Sequence, residues 1–157
     1  MNSKLLCPKC GTYIDEHEAG RCLDAWVAVD VMRIDIEQMI RTRFIEYRRY
    51  NAGRGMSGRE EYSDKYRDRM LRLSLARYST DIAAAWQVVE KVRDSGLCPT
   101  VYWDDGDDKP DCAGWQACMA YYGNTEDEFR LYDGWASTAS LASCRAAIKA
   151  VSNATNS

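Results

Sequence analysis

The sequence holds a single histidine, His17. Most acid–base and nucleophilic sets place a histidine beside the reacting group, so this scarcity already narrows the chemistry. GxSxG, GxxxxGK[ST] and HExxH are absent as well, which removes the hydrolase elbow, the phosphate loop and the zincin helix. There is no 18-residue apolar stretch, and MNSKLLCPKC has no apolar run fit for a signal peptide. A cytoplasmic protein without membrane spans is expected. In a reducing compartment the odd number of cysteines, seven, argues for metal ligation or plain burial over a disulfide framework.

What is present describes a globular chain. Its 157 residues are 46% hydrophobic and 29% charged, enough for one domain with its own core. The net charge of -3 speaks mildly against a general nucleic-acid binder. The charge is nonetheless divided. Arg33 to Arg77 carries 12 of the 21 basic residues against seven carboxylates, an excess of +5. DDGDDKPD, from Asp104 to Asp111, carries five aspartates and one lysine. Such polarity suits contact with a partner or with another copy of the chain.

The opening segment CPKCGTYIDEHEAGRC places Cys7 and Cys10 around a proline and before a glycine. That spacing bends the backbone so that two thiolates face one tetrahedral ion. His17 and Cys22 complete a C-x2-C-x6-H-x4-C set for a structural Zn2+, with Cys22 in the first turn of a helix, where the dipole favours a thiolate. Four filled positions leave none for catalysis. The alternative is that only the CxxC is real and His17 lies exposed among Asp15, Glu16 and Glu18.

No glycine or proline occurs from Arg21 to Ala52. Apolar residues recur there at three- and four-residue steps, which predicts one long helix over 21–50. NAGRGMSG breaks it, and a second helix over 57–76, with pairs such as Glu61 and Lys65, closes a hairpin. Ser79 or Thr80 caps a helix with Asp81 in its first turn and Ile82, Ala85, Trp86, Val89 and Val92 on one face. Strands follow over 97–103, 115–122 and 128–135, then a helix over 140–151 with Leu141, Cys144, Ile148 and Val151 on one side.

AGRCLDAWVAVDVM, YSTDIAAAWQVVEKV and ASTASLASCRAAIKAV resemble the three signature blocks of the phage ABA sandwich domain family, AGRELDALVAEKVMG, YSTDIAAAWEVVEKL and A-T-APLAICRAALLAV. The resemblance implies a phage or prophage origin and a compact unit of helix, three-stranded antiparallel sheet and final helix; it implies no activity. The expected class is α+β, a three-stranded antiparallel sheet packed with helices in α-β-β-β-α order. Residues 1–22 form a zinc-knuckle-like segment, 23–77 a long helix with a basic hairpin insertion, 78–151 the core together with 23–32, and 152–157 a tail. Two departures stand out. Cys22 replaces a glutamate of the pattern, and the segment from Arg33 to Arg77 replaces a short tryptophan-bearing connection.

The expected function is binding without catalysis, in the host cytoplasm. One reading is a counter-defence protein that sequesters a nucleotide-type immune signal, with Arg41, Arg43, Arg48, Arg49 and Arg54 on phosphates and Tyr47 and Tyr50 on bases. A solvated face is the plainer account of those arginines. Another reading is an inhibitor of a host defence protein through Asp104, Asp105, Asp107 and Asp108 beside Trp103 and Trp115. Those aspartates fail the EF-hand pattern, and the two tryptophans otherwise belong between sheet and helices. A structural or regulatory homo-oligomer is a third reading. Element order alone suggests a double-stranded RNA-binding module, yet the last helix offers only Arg145 and Lys149.

Overall fold

The elements run α1 (Arg21–Asp30), α2 (Ile36–Gly53), α3 (Asp64–Ser74), α4 (Ile82–Asp94), β1 (Cys98–Asp104), β2 (Gly114–Tyr121), β3 (Arg130–Ala136) and α5 (Ala139–Ala154). The structure is a computed structural model that describes residues 5–54, 62–105, 113–123 and 128–154. It is an α+β fold, and α4 to α5 give the α-β-β-β-α order. None of the described helices is long and apolar enough to cross a membrane.

The sheet is an antiparallel meander, β1-β2-β3. Its register aligns Val101 with Ala117 and Ala117 with Gly134, so one face collects Val101, Ala117, Met119 and Gly134. That face meets α5. Ala142, Ala146, Ala147 and Ala150 are buried on α5, and their small side chains allow a close approach. Gly134 is the tightest point. A Cβ there would lie 2.4 Å from the Ala142 carbonyl oxygen and 2.6 Å from the Ala146 nitrogen. Leu23 and Val27 of α1, Val88 and Val92 of α4, Met119 and Ile148 complete a fully buried centre. At about 25 cal/mol per Å2 of apolar surface, each such aliphatic contributes roughly 1.5–3 kcal/mol.

Three details depart from the sequence expectations. The single helix expected over 21–50 is two helices, interrupted between α1 and α2. Arg33 adopts φ 58 in the break, and Ile34 donates its amide to the Ala28 carbonyl at 2.8 Å, so the chain turns as after a helix C-terminus. Asp35 then caps α2 by accepting from the Gln38 amide. Periodicity misses this break because the apolar spacing continues across it.

The second hairpin helix begins at Asp64, capped by Ser63, and ends at Ser74; residues 57–61, including Glu61, lie outside the described residues. On α4 the cap is Asp81 itself, which accepts from the Ala83 and Ala84 amides. The buried stripe is Ala84, Ala85, Val88, Val89 and Val92, while Ile82 and Trp86 are exposed. An alanine stripe carries little weight in a hydrophobicity pattern but packs closely, and this rotates the helix.

Candidate metal centre

Residues 5–14 form a small hairpin. Leu6 and Tyr13 are bridged, the Cys7 amide donates to the Thr12 carbonyl, and the Ile14 amide donates to the Leu5 carbonyl, both at 2.9 Å. The turn closes when the Gly11 amide donates to the Cys7 carbonyl. Gly11 sits at φ 73, where a side chain costs roughly 1 kcal/mol. Cys7 and Ile14 are buried, which fixes the hairpin to the body.

This brings Cys7, Cys10, His17 and Cys22 together, with all four ligand atoms within 4.8 Å of one another. Cys7 Sγ and Cys22 Sγ are 3.7 Å apart, and Cys10 Sγ and His17 Nε2 are 3.4 Å apart. A tetrahedral ion with sulfur bonds near 2.3 Å and a nitrogen bond near 2.0 Å needs edges of about 3.8 and 3.5 Å. Two of the six donor distances match those edges, and the other four lie within 4.8 Å, which makes the cluster a candidate site for a metal ion.

His17 is only 6% exposed, so the exposed-histidine alternative does not hold. Its Nδ1 lies 2.9 Å from the Glu18 carbonyl oxygen. That oxygen only accepts, so Nδ1 carries the hydrogen and Nε2 is the ring nitrogen turned to the site. Cys22 is the second residue of α1, beside its unpaired amides. Hydrogen bonds from Thr12 lower the Cys10 thiol to about 6. Burial, then hydrogen bonding and charge from Cys7 and Cys10, push Cys22 up to about 12. Without a cation, a thiolate forms readily at Cys10 while Cys22 resists ionising; a bound ion reverses that balance. An open cavity of about 460 Å3 adjoins the site, lined by Thr12, Glu16, His17, Glu18, Arg21 and Cys22 among others.

The knuckle is bound to the far end of the chain. Arg145 on α5 donates to the His17 carbonyl at 2.8 Å and to the Trp135 carbonyl. Lys149 pairs with Asp15 at 2.6 Å and donates to the Asp133 carbonyl at 2.7 Å. These two cations, considered above for RNA phosphates, serve internal contacts. Sequence reading missed their anchoring role; the signal was two charges on a helix face otherwise made of alanine and aliphatics.

A second polar cluster joins the start of α1 to the start of α4. Asp24, 1% exposed, accepts from the Ser79 amide and hydroxyl and from Arg21. The Gly20 amide donates to the Ser79 hydroxyl. Arg21 also reaches the Arg72 and Leu75 carbonyls at 3.1 and 2.9 Å, capping the C-terminus of α3.

The expected basic surface lies on α2. Its 100° step puts Arg43, Tyr47, Tyr50 and Arg54 on one side and Arg41 and Arg48 on the other, with Arg49 apart. The Arg54 guanidinium sits 4.6 Å over the Tyr50 ring and the Arg48 guanidinium 5.9 Å over Phe44. Arg41 and Arg43 form exposed pairs with Glu37 and Glu46, which hold little energy. Tyr62 and Arg67 also reach Glu37; the Tyr62 hydrogen bond foremost, then Arg41 and Arg67, lower its pKa. Phe44, Tyr47, Tyr62 and Tyr66 stack edge-on or tilted between α2 and α3, so Tyr47 helps hold the hairpin. Of the acidic patch, Asp104 ends β1 and Asp105 is exposed, while Asp107 and Asp108 lie outside the described residues. Trp103 is 54% exposed and edge-on to Trp115.

The family model of the Phage ABA sandwich domain matches residues 25–148, from within α1 to within α5. The chain belongs to the Phage ABA sandwich domain family. No curated protein and no solved structure matches it. All four candidate metal ligands precede residue 25, so the sandwich-domain match stops short of the knuckle. The α2–α3 hairpin falls inside the matched span.

Proposed function

We propose that this chain is a phage accessory protein that works by binding, holding a phosphate-bearing nucleotide of the host's immune signalling on the α2 side of its hairpin. The observation that carries this reading is the Arg54 guanidinium stacked on Tyr50, with Arg43 and Tyr47 on the same helical face. Arginine recognises phosphate through paired N–H donors, and an aromatic face accepts a base. The exposed pair with Glu46 is weak enough for Arg43 to exchange it for phosphate. The metal we assign to the knuckle is zinc, from the Cys3His donor set and its tetrahedral edges. Its role is structural, holding residues 5–22 against α1 and α5.

Thermal unfolding against a panel of cyclic dinucleotides and ADP-ribose derivatives tests the binding reading. A ligand at 100 times its Kd adds about 2.7 kcal/mol, which raises the Tm by roughly 5–10 °C for a chain of this size. Arg43→Ala with Arg54→Ala removes the rise; a flat response across the panel ends the proposal.

A second reading is favoured by the exposure of Trp103 beside Asp104 and Asp105, a surface suited to a host protein. Pull-down from a bacterial lysate then recovers one partner, lost when Asp104, Asp105, Asp107 and Asp108 become asparagine.

A further inference from the structure

The sheet has two unlike faces. One is buried by α5. The other collects Thr100, Cys118 and Asp133 in one cross-strand row and Tyr102, Gln116 and Trp135 in the next. None of these six belongs to the hydrophobic core cluster, and Tyr102 is 41% exposed. The face is aromatic and acidic, with Asp133 near its middle and Asp104 at its end. Arg130 is the one cation in the three strands, and its pairing with Tyr121 assigns it to the opposite face. Burial first, then Cys118, Asp104 and Asp133, raise the Tyr102 hydroxyl pKa, in keeping with negative charge gathered there.

A surface of opposite charge exists on the same chain. Contacts run from the sheet to α5, from α5 to α1, from α1 to α2 and from α2 to α3. On α3, Lys65, Arg69 and Arg72 are exposed at four- and three-residue steps, so they share one side of the helix. Leu73, 68% exposed, lies beside them. In that series α3 comes last, and Arg21 of α1 also reaches its C-terminal carbonyls, while the sheet face is only half-buried.

Both outer strands carry features that hinder strand addition. Lys149 and Arg145 donate to the Asp133 and Trp135 carbonyls on β3, and β1 carries Pro99, which has no amide hydrogen to offer. The face of the sheet is the broader surface for association.

We propose that this acidic, aromatic face is the seat for the Lys65–Arg69–Arg72 side of α3 from a second copy of the chain. The arginines pair with Asp133 and Asp104 and lie over Tyr102 and Trp135, as guanidinium groups do on aromatic rings. The arrangement is head-to-tail, because the two surfaces differ. Two sheet faces meeting each other would set Asp133 against Asp133. The inference uses α3, not the α2 side proposed for the nucleotide.

Sedimentation equilibrium of the metal-loaded chain tests it. Self-association is expected near 50 mM salt and at least tenfold weaker near 500 mM, where screening shortens to a few ångströms. Asp133→Lys and Arg69→Glu each abolish association, and mixing the two restores it, since each keeps one intact surface. Tyr102→Arg, at an exposed position, repeats the sheet-side test should Asp133→Lys fold poorly. Arg43→Ala with Arg54→Ala leaves association unchanged, which separates this inference from nucleotide binding. A monomer under all conditions overturns the proposal, as does association that survives Arg69→Glu. Loss in the sheet variants alone identifies sheet-to-sheet pairing and overturns it equally.

Discussion

Asp24 Oδ1 accepts both the amide and the hydroxyl of Ser79, each at 2.8 Å and out of contact with water. One carboxylate thus joins the start of α1 to the start of α4, across 55 residues of chain. The same side chain takes Arg21, which closes the end of α3. Asp24→Ala leaves two buried donors without an acceptor and a guanidinium without its counter-charge. The expected loss is about 3–5 kcal/mol in urea unfolding, and Ser79→Ala loses about 1–2 kcal/mol. Equal, small effects of both substitutions would show that the cluster is not the junction described.

Metal removal tests the knuckle. One zinc per chain is expected by elemental analysis, and Cys7→Ser, His17→Ala or Cys22→Ser lowers that ratio towards zero. In hydrogen exchange the chelated protein loses protection over residues 5–19 first, while α4 and α5 stay protected. A chain purified without metal, with an unchanged melting curve, would refute the site.

Arg33 holds φ 58 at the position where the resembling family block has glycine. A non-glycine residue in that region costs roughly 1–2 kcal/mol, partly offset because glycine gains freedom in the unfolded chain. Arg33→Gly is expected to stabilise the protein by about 0.5–1 kcal/mol, read as a higher urea midpoint at constant m-value. A destabilised variant would mean that the arginine side chain itself holds the break between α1 and α2.

Thiol reactivity separates the cysteines. While the knuckle is folded and metal-free, Cys10 is exposed and its thiol is lowered to about 6, so its alkylation rate rises between about pH 5 and 7 and levels off above. Cys144 is buried, and burial raises its thiol, so it reacts only on unfolding. Peptide mass spectrometry after brief iodoacetamide treatment reads this order directly. Zinc slows labelling at Cys10; labelling of Cys144 before Cys10 would contradict the geometry.

Much of this architecture is legible in the residues. The Cys-x-x-Cys spacing, the alternation in 115–121 and the Leu141–Cys144–Ile148 stripe each report a local periodicity that the fold keeps. His17 and Cys22 were identifiable as candidate ligands from their spacing after the Cys-x-x-Cys, and the structure brings them to it. The break at Arg33 was hidden because it depends on a backbone torsion that no side-chain pattern records. The α4 face was misread because alanine contributes so little to a hydrophobic count. Asp24 with Ser79, and Arg145 with His17, are pairings over 55 and 128 residues. Nothing in either local stretch names the other.

The link from Arg145 to the His17 carbonyl has a consequence for synthesis. The cysteines leave the ribosome more than a hundred residues before the helix that clasps their loop. Until then the thiols stand open, with a cation free to come and go, and burial of the knuckle awaits the final helix. Loss of α5 through a late stop codon would accordingly release a segment encoded more than a hundred codons earlier.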